Sequence, residues 1–173
     1  SLEQQTVPVD IIVVDNASAD DSLTQVQRQW PTAQVIANAE NRGYAGGHNQ
    51  AIAASRRTAD YPPGAQFKWN VEVLWAVDSY LKQATPQKQK EFIEAVQKGW
   101  IGLDALYGNE LTALCRPEEL MRLCGYAQKL SKLCGVKIDS AMISAVPGYT
   151  WRLMTVFGQA GVKYFSIGPN GGD

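Results

Sequence analysis

The chain has 173 residues, 45% of them hydrophobic and 19% charged, a globular composition that excludes a disordered chain and suits one domain or two small ones. Its formal net charge of −1 gives no electrostatic reason to expect a nucleic acid or an anionic membrane as partner. No run approaches the roughly 18 apolar residues of a membrane span, and the polar start, Ser1 to Thr6, lacks a signal-peptide hydrophobic region, so a cytoplasmic protein is expected.

Residues Val9 to Asp15 form a continuous, β-branched apolar run, the pattern of a strand buried on both faces. Asp20, Asp21 and Ser22 offer caps for a helix from about Leu23 to Trp30, which Pro31 ends. Ala33 to Ala37 reads as a second strand. Asn41 to Gly47 reads as a glycine-rich loop, with a helix following through Ala51, Ile52 and Ala54. This β-α-β-loop-α order is the unit of a parallel sheet. Pro62, Pro63 and Gly64 break both periodicities, which places a junction over residues 60–66.

Beyond the junction the pattern restarts. Phe67 to Glu72 reads as a strand and Val73 to Gln83 as a helix. Thr85 caps the next helix, with Pro86 at its first position and Gly99 as its stop. Trp100 to Leu106 reads as a strand. Arg116-Pro117-Glu118-Glu119 opens one long helix whose apolar face is Leu120, Leu123, Cys124, Ala127, Leu130 and Cys134, with Gly135 as its end. Ser140 to Ala145 is a strand, Tyr149 to Ala160 a helix stopped by Gly161, and Lys163 to Ile167 a last strand. The sequence ends shortly after it, at Gly168 to Asp173, which leaves that strand in want of a covering layer. Such alternation predicts a parallel α/β architecture, an open sheet or part of a β/α barrel.

The three cysteines, Cys115, Cys124 and Cys134, are too few for a disulfide framework and their spacing fits no zinc motif. Cys124 and Cys134 read as small buried hydrophobes on a helix face. His48 is the single histidine, so one copy of the chain cannot build a zinc site that needs two imidazoles.

Ligands of parallel α/β folds sit beyond the carboxyl ends of the strands. Asp15 lies there, followed by Asn16 and Ser18. Its carboxylate can accept hydrogen bonds from a ribose or a base N–H, although an aspartate at a strand end also serves as an ordinary turn cap. The segments DIIVVDNASADDS and NAENRGYAGGHNQAI resemble family 2 glycosyltransferases, which are inverting enzymes of GT-A fold. The resemblance covers residues 1–59. It implies nucleotide-sugar contacts for Asp15, Asn16, Asp20, Gly43, Gly46, Gly47 and Asn49. It also implies a divalent cation, but the Asp-x-Asp element that would hold it does not follow; Asp60, Asp78 and Asp104 stand alone. The family's first strand and nucleotide loop would precede Ser1.

The second stretch carries FKWNVEVLWAVDSYL, GWIGLDALYGNELTAL, RPEELMRLCGYA, SAMISAVPGYTW and GVKYFSIGPNGGD. In this order they resemble the N-terminal catalytic domain of glycoside hydrolase family 38, the α-mannosidases. That resemblance implies a β/α barrel, a zinc ion and a retaining mechanism with two carboxyl groups about 5–5.5 Å apart. The family places an aspartate, both nucleophile and zinc ligand, before Val-Pro-Gly; here the residue is Ala145. No histidine follows residue 60. Glu72, Asp104, Asn109 and Glu110 remain as candidates for a sugar pocket. Trp69, Trp75, Trp100, Tyr107, Tyr149 and Trp151 could stack on sugars, with core packing the expectation for most of them.

The sequence therefore predicts a glycosyltransferase-like fragment over residues 1–59 joined to a mannosidase-like β/α fragment over 67–173. The whole is related to carbohydrate enzymes, inactive as this chain, and holds no cofactor. Weak binding of a carbohydrate or sugar nucleotide is expected, as is self-association through open sheet edges. A non-catalytic recombined or engineered α/β protein is the alternative from another class.

Overall fold

The computed structural model describes residues 11–41 and 43–168. The chain divides into two compact units, Ser1–Phe67 and Lys68–Asp173. The start of the first predicted strand, Val9 and Asp10, residue 42 of the predicted glycine-rich loop and residues 169–173 lie outside the described residues.

In the first unit β1 (Ile12–Asp15) pairs in parallel with β2 (Gln34–Ala37), with Asp15 opposite Ala37. Helix α1 (Ser22–Gln29) connects them and α2 (Gly43–Arg57) packs on β1. Val13 and Val14 are half-buried rather than enclosed, because the described sheet has two strands. The buried face of α2 carries Ala51, Ile52, Ala54 and Ser55, and Thr58 is buried just past its end. Both hydroxyls bond back to the helix, Ser55 Oγ to the Ala51 carbonyl at 3.0 Å and Thr58 Oγ1 to the Ala54 carbonyl at 3.2 Å, which removes the cost of burying them.

The predicted glycine-rich loop is a correction. Gly46 and Gly47 lie in the first turns of α2, which begins at Gly43. Gly43 takes a positive φ of 59°, open to glycine at no steric cost. Its amide donates to Asn41 Oδ1 at 2.9 Å, so the helix is entered at once. The stretch before the second unit is a hydrogen-bonded turn around a 3-10 segment, Pro63–Ala65. Gln66 Nε2 donates to the carbonyls of Ala59 and Tyr61, and the Phe67 amide donates to Thr58 Oγ1 at 2.8 Å.

In the second unit β3 (Trp69–Val71) pairs in parallel with β4 (Ile101–Leu103), and β5 (Ser140–Ser144) with β6 (Tyr164–Gly168). The Ala105 amide donates to the Ser140 carbonyl at 2.8 Å, joining the end of β4 to the start of β5. Helices α3 (Leu74–Gln83), α4 (Pro86–Gln97), α5 (Pro117–Leu123), α6 (Gly125–Cys134) and α7 (Arg152–Ala160) fill the connections. Thr85 caps α4, its hydroxyl accepting from the Lys88 amide. Gly135 and Gly161 end α6 and α7 in left-handed backbone. The core holds Leu74, Tyr80, Phe92, Ile143, Leu153 and Phe157.

The single long helix from Pro117 is instead two, broken at Cys124. The Tyr107 amide takes the Leu123 carbonyl at 2.8 Å, an acceptor a continuous helix would need for its own ladder. The predicted face is nonetheless buried at Leu120, Cys124, Ala127, Leu130 and Cys134. All three cysteines are free, Cys115 half-buried. Among the described residues no helix is long and apolar enough to cross a membrane.

Candidate functional site

The first unit gathers polar side chains at the carboxyl ends of β1 and β2. Asp15 ends β1, and both its carboxylate oxygens accept from the Ser18 amide at 3.3 Å; it caps the turn in which Ala17 has a φ of 63°. Asn16 donates to Asn41 Oδ1 at 2.8 Å and accepts from Asn38 at 3.2 Å. Asn38 and Gln50 exchange amide bonds, the shorter at 2.7 Å. This amide chain ties the end of β1 to the end of β2 and to the start of α2. Asp20 binds its own turn, accepting from the Ser22 amide at 3.0 Å; bonds from Ser22 hold its carboxyl below the usual range. Gly43 is exposed, while Gly46, Gly47 and Asn49 are half-buried, and Asn49 has a partner. Sequence reasoning missed Asn38, Asn41 and Gln50. The signal was there in part, because Asn38 follows β2 as Asn16 follows β1.

In the second unit the strand ends deliver two carboxylates, each held by neutral donors. Glu72, directly after β3, is half-buried. Its Oε1 accepts from the Ser144 amide at 2.8 Å and from Asn109 Nδ2 at 2.9 Å. Asp104, directly after β4, is 4% exposed. It accepts from Asn70 Nδ2 at 2.6 Å and Ser140 Oγ at 2.7 Å, which is how a buried carboxylate is stabilised without a cation. Ala145 follows β5, exposed and left-handed at φ 57°.

Asn109 and Glu110 line a cavity of about 600 Å3 together with Leu111, Leu114, Cys115 and Val146. Burial first, then the charges of Glu110 and Glu119, push the Cys115 thiol up, so it remains protonated there. The loop after β5 is fixed at its far end by Thr112, 1% exposed, whose hydroxyl accepts from the Thr150 amide at 3.2 Å. Asn70, Thr112, Ser140 and Ser144 were not singled out from sequence; as small polar residues inside elements they carry no distinguishing pattern.

The aromatic expectation is corrected. None of the six candidates is fully buried: Trp75, Tyr107 and Trp151 are exposed, Trp151 at 90%, and Trp69, Trp100 and Tyr149 are half-buried. Lys98 Nζ lies 4.7 Å from the centre of the Trp100 ring, and Tyr107 donates its hydroxyl to Asp78 at 2.9 Å. The Trp100 and Tyr107 rings, each tied to a charged partner, keep that polar edge at the surface.

A zinc ion, expected from the mannosidase resemblance, does not fit the donors present. Among the described residues no group of three or more His, Cys, Asp and Glu side chains could hold a metal ion, and the methyl of Ala145 is no ligand.

The model of glycosyl transferase family 2 matches residues 1–59. No match is found among curated proteins. A solved structure described as an alpha-mannosidase from Enterococcus faecalis V583 is similar at 16% identity and a TM-score of 0.55, over 72% of this chain and 14% of that one. At that identity the likeness shows an α/β fold with parallel strands. The chain spans about one seventh of that protein's length.

Proposed function

We propose that the chain is a carbohydrate-binding protein whose second unit is related to α-mannosidase-type glycosidases of family 38 and does not turn over substrate as this chain. The observation that carries this is the pairing of Glu72 with Ser144 and Asn109 at the strand ends, beside an alanine at 145. Retaining hydrolysis needs a nucleophilic carboxylate and a second one as acid and base. Here Glu72 and Asp104 are engaged with neutral donors, and position 145 supplies no carboxylate. What remains is a hydrogen-bonding surface, with Asn109, Glu110 and the cavity beside them available to sugar hydroxyls.

A second reading, sugar-nucleotide binding in the first unit, is favoured by the family 2 match over residues 1–59 and by Asp15 at the end of β1. Without a cation for the pyrophosphate, ribose and base contacts of about 0.5–1.5 kcal/mol each remain, which gives a dissociation constant of about a millimolar. Titration of 15N-labelled protein with mannose, and separately with uridine diphosphate glucose, tests both. Mannose-induced shifts at Glu72, Asn109 and Glu110 support the first reading, and their absence at tens of millimolar overturns it. Nucleotide-induced shifts at Asp15 to Ser18, lost in Asp15→Ala, support the second; micromolar affinity or indifference to that substitution overturns it.

A further inference from the structure

Among the described residues, two other than glycine hold left-handed backbone, Ala17 and Ala145, and each lies just beyond the carboxyl end of a parallel strand. For alanine this conformation crowds Cβ against the following carbonyl oxygen, so it persists only where the surroundings over-determine it. Around Ala145 those surroundings are explicit. The Ser144 amide donates to Glu72 Oε1 at 2.8 Å. The Ala145 amide donates to the Gly168 carbonyl at 2.8 Å, and the Gly148 carbonyl accepts from the Ala113 amide at 2.8 Å. The bond to Glu72 is charge-assisted, the stronger kind. The same oxygen also takes the Asn109 amide, joining the loops after β4 and β5.

We propose that Glu72 is a positioning residue: by holding the Ser144 amide it forces residue 145 into left-handed backbone, so that this position, next to cavity-lining Val146, is presented in one fixed orientation. Its functional weight rests on reading this strand end as the sugar-facing site; its geometry does not. Left-handed backbone suits asparagine, aspartate and glycine better than alanine. A short polar residue at 145 would therefore find its conformation already made, at the cost of Glu72's own freedom to act on a ligand.

The test uses the full chain labelled with 13C and 15N and no sugar. The Cα and Cβ shifts of residue 145 report its backbone region. Glu72→Gln keeps an acceptor and should retain the left-handed shifts. Glu72→Ala should move them toward extended values and speed exchange of the Ser144 amide by about tenfold, as expected for a lost bond to a charged acceptor. If Glu72→Ala does not fold, Glu72→Asp, one methylene too short, takes its place with the same expectation. Left-handed shifts that persist in Glu72→Ala or Glu72→Asp would overturn the proposal. Failure of mannose to bind the wild-type chain would overturn the sugar reading and leave this result intact.

Discussion

Glu72 Oε1 and the Ser144 backbone nitrogen are 2.8 Å apart although 72 residues separate them in the chain. The contact binds the end of β3 to the end of β5, and with Asn109 it brings three connections of the second unit to one place. A carboxylate that could serve a ligand is thereby spent on the scaffold.

The strain at residue 145 gives the first prediction. Replacing Ala145 by glycine relieves about 1–2 kcal/mol of left-handed strain and adds about 0.5–1 kcal/mol of chain entropy cost. The net expectation is a gain of about 0.5–1 kcal/mol, read as a higher urea midpoint at unchanged m-value. A lower midpoint would show that the backbone there carries no strain.

Gly102 faces Asn70 across the β3–β4 ladder. A Cβ at Gly102 would lie 2.5 Å from Asn70 Oδ1, and Asn70 is not free to yield because its amide holds Asp104 at 2.6 Å. Gly102→Ala should therefore cost about 1 kcal/mol, the lost bond to a carboxylate outweighing the smaller entropy gain. In an Asn70→Ala background the same substitution should become neutral or stabilising. Equal effects in both backgrounds would remove the proposed link.

Asp78 accepts from Lys82 Nζ at 2.7 Å and from the Tyr107 hydroxyl at 2.9 Å. The Lys82 bond first, and the tyrosine hydroxyls after it, hold its carboxyl below the ordinary value of 3.8. A depressed carboxyl stabilises the fold above its unfolded pKa, and that contribution fades as pH falls through the folded pKa. The stability gap between wild type and Asp78→Asn should be constant above about pH 5 and shrink below pH 4. A gap that widens on acidification would contradict the assignment.

Burial pushes the Cys124 thiol up to about 11 and raises Cys134 by the same cause, so neither offers thiolate near neutrality. Cys115 is raised too but lines the cavity. Iodoacetamide at pH 8 should add slowly to Cys115 in the native chain, with Cys124 and Cys134 reacting only after unfolding. Mass spectrometry that finds a native adduct at Cys124 or Cys134 would show that α5 and α6 do not pack as described.

The local signals were legible in the sequence and the non-local ones were not. Pro86 began α4, and Gly135 and Gly161 ended their helices, because each acts through its own backbone. The break at Cys124 depends on an amide at Tyr107, and the short span of β4 depends on Ala105 turning to Ser140; neither has a mark in the local pattern. Glu72 and Asn109 could be picked as polar residues near strand ends. That Glu72 is occupied by a backbone amide of β5 could not, since a backbone donor carries no residue signature. In the first unit the strand-end Asp15 was legible. The helical fate of Gly46 and Gly47 was hidden, since glycines read as loop until an acceptor such as Asn41 Oδ1 takes the Gly43 amide.

The most direct test of the central claim is hydrolysis of an aryl α-mannoside by the purified chain, wild type and Ala145→Asp, with and without added zinc and chelator. The wild type lacks both the covalent and the Lewis-acid contributions to rate; a carboxylate at 145 supplies a nucleophile but one donor where a zinc site takes about four, so the Lewis acid is still lacking. The prediction is release of the aryl alcohol at the uncatalysed rate in every arm. Turnover that saturates with substrate and is abolished by the chelator, in either protein, would contradict it.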